Sequence, residues 1–78
     1  MNITGKRILI APSDIATKRT KERIKQHGEN GIAPFKVEDW RGISDQNMSF
    51  LLRADDGWFG WLHKDQFVHL ATLINDRN

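Results

Sequence analysis

The sequence predicts a small, mainly β domain of the α+β kind: four to five antiparallel strands around one core, with one basic helix inserted after the first strand. Three observations carry that expectation. Asp56-Gly57 stands between two apolar runs, Met48 to Ala54 and Trp58 to Leu62, the strongest short-range hairpin signal a sequence offers. Arg7 to Ala11 is aliphatic and is halted at once by Pro12, as a short first strand would be. Phe35-Lys36-Val37-Glu38 alternates apolar and charged residues with the period of a half-buried strand.

At 78 residues the chain has room for a single domain, residues 1–78, and a single core. A domain of this size hides only about 60% of the surface its unfolded chain exposes, so nearly every large apolar side chain is needed for packing. The absence of cysteine excludes disulfides and thiolate-held zinc or iron–sulfur centres. No signal-peptide core and no bilayer-length apolar run occurs, which makes a cytoplasmic address, away from membranes, the expectation. No phosphate-binding loop or dinucleotide fingerprint is present, and no nucleophile stands near a recognisable base. Neither enzymatic activity nor a cofactor is expected. His27, His63 and His69 lack the spacing of zinc ligands, so no metal is expected either.

Taken in order, the first strand ends near Ala11, and Ser13-Asp14 or Thr17 can cap a helix from about Thr17 to His27. Gly28 suits the left-handed position after that helix. The helix is a strong former with a thin apolar face, Ile24 with Thr20 and His27 at helical spacing. Gly28-Glu29-Asn30-Gly31 is a turn. It resembles the Gly-x-x-Gly loop of K-homology domains only superficially, because Glu29 repels the anion such a loop clamps and Pro34 blocks the helix that should follow. In the second strand Phe35 and Val37 point inward, and the same parity turns Trp40 outward unless a bulge intervenes. Residues 41 to 47 read as a polar loop.

Reading Asp56-Gly57 as a two-residue turn puts Met48, Phe50, Leu52, Ala54, Phe59 and Trp61 on the core face. Leu51, Arg53, Asp55, Trp58 and Leu62 then lie on the other. A three-residue loop exchanges the roles of Trp58 and Trp61. Beyond Lys64, Asp65 can cap one helical turn, to be followed by a short closing strand and a frayed or helical end.

Gly57-Trp58-Phe59-Gly60-Trp61-Leu62-His63-Lys64-Asp65-Gln66-Phe67-Val68 resembles the end of a Src-homology-three-like barrel of the bacterial type. In that family a distal hairpin runs into Gly-aromatic-aliphatic, then a 3₁₀ turn, then an aromatic and the closing strand. The resemblance implies a small barrel. It departs from the peptide-binding eukaryotic version, since His63 stands in place of its proline and Phe67 in place of its tyrosine. Binding of proline-rich peptides is therefore not implied, and small barrels host many unrelated functions.

Two function classes remain. The first is a non-enzymatic protein-interaction module, a small adaptor or inhibitor of the sort that prokaryotic mobile elements and phages encode. Trp40, Trp58 and Leu62 would form its contact centre, with Arg53 at the rim. The second is a nucleic-acid binder using Lys18, Arg19, Lys21, Arg23 and Lys25 on the helix, with tryptophans stacking on bases. Basic character is concentrated there: residues 1–31 carry seven Lys/Arg against three Asp/Glu, residues 32–78 five against seven. A protein partner is the leading expectation; oligomeric state is left open.

Overall fold

The computed structural model describes residues 3–73. Its elements run β1 (Arg7–Pro12), α1 (Lys18–Gln26), β2 (Ala33–Ser44), β3 (Asn47–Ala54), β4 (Phe59–His63), a 3₁₀ turn (Lys64–Gln66) and β5 (Phe67–Leu73). All five strands belong to one antiparallel sheet in the order β4-β3-β2-β1-β5, with the helix inserted after the first strand. The mainly β architecture is thus the expected one, and the open five-stranded arrangement is compatible with a Src-homology-three-like fold. Among the described residues no helix is long and apolar enough to cross a membrane. The expected frayed or helical end lies outside the described residues.

The sheet is coiled rather than flat. β3 and β5 are separated by two strands, so in a flat sheet they would lie roughly 14 Å apart. Yet the rings of Phe50 (β3) and Phe67 (β5) meet edge to face at 6.1 Å. β2 makes this possible, because its first residues pair with β1, and from Phe35 onward it pairs with β3. A bulge between Val37 and Asp39 adds to the bend. Ile8, Ile10, Ala33, Phe35, Val37, Leu52 and Ile24 are completely or almost completely buried inside the coil.

Thr17 is the helix cap: its side-chain oxygen accepts the Thr20 N–H at 3.2 Å. Ser13 serves elsewhere, its hydroxyl donating to the Asp65 carbonyl at 2.5 Å while the Gln66 side chain accepts the Thr17 N–H at 2.9 Å. These bonds fasten the start of α1 to the 3₁₀ turn. His63, not Asp65, caps that turn, with Nδ1 accepting the Asp65 N–H.

Several local expectations are corrected. Gly28 is not left-handed; Asn30 and Gly31 are. Gly28 is needed because a Cβ there would stand 2.0 Å from the Ile32 carbonyl. The polar loop at 41–47 is instead strand almost throughout, since β2 and β3 continue to pair as far as Ser44 and Asn47. Polar residues suffice there because both faces of that ribbon are largely open to water.

The main correction concerns the β3–β4 hairpin. Ala54 N–H donates to the Trp58 carbonyl at 2.7 Å, and Gly57 N–H closes back on the Ala54 carbonyl at 3.0 Å. The loop is therefore three residues, Asp55-Asp56-Gly57, with Gly57 in the left-handed region at φ 98°. An odd loop length pairs Arg53 with Phe59, Leu52 with Gly60 and Phe50 with Leu62. Trp58 and Leu62 consequently pack on the core, whereas Phe59 and Trp61, expected inside, face outward.

Gly60 makes room for this arrangement. A Cβ on Gly60 would come within 2.8 Å of the Trp58 indole. Gly60→Ala should destabilise the protein by about 1–3 kcal/mol through displacement of Trp58, visible as a lowered urea midpoint and an altered near-ultraviolet tryptophan signal. Ile24→Ala, which empties the helix's main core contact, should cost about 2–5 kcal/mol by the same measurement.

Candidate functional site

The side chains singled out in the sequence fall on two faces. Trp58 is half-buried on the inner face of the sheet, packed against the core beneath the helix. Its indole stacks on His27 at 5.2 Å and meets Phe35 edge to face at 6.2 Å, and the Arg23 guanidinium sits over it at 4.3 Å. Arg23 and His27 are one helical turn apart, so both reach the same ring. Aromatic pairs of this kind contribute about 0.5–1.5 kcal/mol beyond burial. Trp58 is thus a structural clamp, which corrects its expected place in an exposed contact centre.

Asp56 completes the clamp. Its carboxylate accepts the Trp58 N–H at 3.0 Å and lies 3.0 Å from His27 Nδ1. A carboxylate only accepts, which assigns the proton of this contact to Nδ1. The His27 side chain is only 5% exposed, and Nε2 has no protein partner among the described residues. The Asp56 carboxyl is held below the usual carboxylate range, chiefly by the Trp58 N–H and then by the charge of His27.

Trp40 and Arg53 separate from Trp58. The bulge in β2 pairs Trp40 with Phe50, moving it to the inner row, where it remains 49% exposed at the margin. Its expected outward orientation is corrected by that one-residue shift. Arg53 does face outward, in an ion pair with Glu38 at 2.8 Å. Of the helix cations, Lys18, Arg19, Lys21 and Lys25 are exposed, and Arg23 is engaged by Trp58.

The outer face of β2, β3 and β4 gathers a different set. Phe59 and Trp61, 59% and 39% exposed, alternate along β4, and Leu51 stands directly across from Trp61 on β3. Arg41, on β2, places its guanidinium over the Trp61 ring at 4.2 Å. Arg53 lies across from Phe59. Aromatic and arginine side chains gathered in one exposed patch are the types enriched at protein interfaces. The signal for it was present in the strong Asp-Gly turn; loop length decided which tryptophan belonged to it.

A groove of about 320 Å³ opens between β3 and β5, lined by Met48, Phe50 and Phe67 with Ile3 at one side. Asp45, Lys64 and His69 supply its polar lining. Lys64 already donates to the Asp45 carbonyl, and His69 Nε2 is 3.1 Å from the Thr72 hydroxyl. That leaves few polar groups to orient a small molecule. Among the described residues no group of three or more potential ligands could hold a metal ion.

The lowered Asp56 carboxyl has a signed consequence. Its contribution to stability is complete above the ordinary carboxylate range and is lost as pH falls through its lowered value. Asp56→Asn should therefore lower the urea midpoint near neutral pH and converge with the parent protein as the pH drops below about 4, the unperturbed carboxylate value. No family model matches the chain, and no curated protein or solved structure shows significant similarity to it.

Proposed function

We propose that this chain is a Src-homology-three-like barrel that works as a non-enzymatic protein-interaction module, binding its partner through the outer face of β3 and β4. The fold part of the reading is supported by the strand order, the 3₁₀ turn ahead of the closing strand and the Phe50–Phe67 contact across the coil. The binding part is supported chiefly by one observation: Phe59 and Trp61 are both exposed on one face beside Leu51, with Arg41 already over the indole. A ring held flat by an arginine loses little freedom on binding, which is how a few aromatic anchors come to dominate an interface. Arg53 and Glu38 form the polar rim.

Trp61→Ser should reduce capture of the partner by tenfold or more while changing stability by less than about 0.5–1 kcal/mol, because the ring is not part of the core. Ile43→Ser is the matched control, removing a side chain that is 90% exposed but lies outside the patch. Capture that survives Trp61→Ser and Phe59→Ser, or that is lost equally in Ile43→Ser, contradicts the reading.

A nucleic-acid role for α1 rests on its exposed Lys18, Arg19, Lys21 and Lys25. The helix packs on the core side of the sheet, opposite the face that carries Trp61, so the two do not make one stacking groove. Fluorescence titration with single-stranded DNA and RNA at two salt concentrations tests it. Binding that weakens steeply with salt and is lost in Arg19→Glu establishes a nucleic-acid surface; a flat titration leaves the protein-partner reading standing alone.

A further inference from the structure

Among the described residues the sheet has two free edges, β4 and β5, and they are not alike. An edge strand offers a row of unpaired backbone donors and acceptors, and proteins guard such rows with charges, prolines or bulges. On β5 the register against β1 shifts between Leu9 and Ile10, so that Leu70 is the extra residue of a bulge. β4 has no such guard. Its sequence, Phe59-Gly60-Trp61-Leu62-His63, contains no Lys, Arg, Asp, Glu or Pro, and it pairs with β3 without any register shift.

The backbone direction along β4 follows from the hairpin. Ala54 and Trp58 form a hydrogen-bonded pair. Because such pairs alternate in an antiparallel ladder, Gly60 and Leu62 also turn their backbone groups toward β3. Phe59 and Trp61 therefore aim their N–H and C=O groups at the open edge, and His63 adds its N–H, its carbonyl being the acceptor that opens the 3₁₀ turn. These three alternate residues form a short, symmetric set centred on Trp61.

We propose that β4 pairs antiparallel with β4 of a second copy of this chain, with Trp61 on the two-fold axis. In that register Trp61 faces Trp61 of the other copy, and Phe59 faces the other copy's His63. The Trp61 pair exchanges two hydrogen bonds across the axis, and on either side of it a Phe59 carbonyl accepts the other copy's His63 N–H. On the outer face the pairing sets aromatic rings against aromatic rings, a favourable cross-strand combination, and brings no like charges together within the strand. The result is a continuous ten-stranded sheet in which two copies of the Phe59–Leu51–Trp61 patch join into one surface.

A second copy is the occupant that fits best because the edge is complementary to itself. Pairing of β4 with β5 of another copy would be head to tail, would meet the bulge at Leu70, and would not close. A five-residue seam is smaller than an obligate interface, so association is reversible and the concentration series must extend to about 1 mM.

Sedimentation of the intact protein from micromolar to millimolar concentration should show a reversible shift from the 9.0 kDa chain to twice that mass. Trp61→Lys, which places two ammonium groups on the two-fold axis, should weaken the dimer at least tenfold; Ile43→Lys should leave it unchanged. Because a substitution in β4 can disturb the hairpin itself, hydrogen exchange of the unmodified protein provides the second measurement. Protection of the Phe59, Trp61 and His63 amides should rise with concentration, while that of the β5 amides stays constant. A monomer throughout the range, an open series of larger species, or concentration-dependent protection on β5 instead of β4 would overturn the proposal. A monomer that still captures its partner through Trp61 removes the dimer alone. A dimer that captures nothing removes the partner reading and leaves the dimer.

Discussion

The arrangement depends on a three-residue reversal, Asp55-Asp56-Gly57, that closes Ala54 onto Trp58. Side chains alternate strictly along a strand, so one residue more or less in the loop exchanges every residue of β4 between the faces. With three, Trp58 and Leu62 turn into the coil and Phe59 and Trp61 turn out. Gly60 is the necessary companion, since the Trp58 indole occupies the space where its side chain would be.

That inward Trp58 also holds the helix. α1 has nine residues and buries only Thr20 and Ile24, which is too short and too polar for it to persist by itself. Arg23 and His27 lie against the Trp58 ring, and Asp56 links the Trp58 backbone to His27. The hairpin loop is thus both the turn of β3–β4 and the dock for the C-terminal end of α1. At the helix's other end, Ser13, Thr17 and Gln66 tie it to the 3₁₀ turn. The inner side of the sheet is thereby committed to stability. The Arg7–Asp55 pair at 2.7 Å and the Arg53–Glu38 pair lie on the solvent side, where screening leaves them little energetic weight. Phe59 and Trp61 on that side remain exposed.

Much of this was legible in the amino-acid order. The helix boundaries, the strand that stops at Pro12, the alternation of Phe35 and Val37, and the single turn ahead of a closing strand all emerged from local chemistry. Caps, turn residues and hydrophobic period act over a few residues, so they can be read without knowing what lies nearby in space. The exposed aromatic surface was less legible. Trp40, Trp58 and Leu62 read as one patch in the sequence, but Trp58 and Leu62 are half-buried against the core and Trp40 stands at its margin, while Trp61 and Phe59 make the exposed face.

The sequence by itself determined the mainly β class, the inserted basic helix, the hairpin and the supply of aromatic and aliphatic side chains for one core. Only the tertiary structure decided which aromatics fill that core and which remain outside. The reason is parity: loop length and the β2 bulge each shift the ladder by a single residue. Whether such a shift is favourable depends on partners distant in sequence, here the helix over Trp58 and the Phe50–Phe67 contact across the coil.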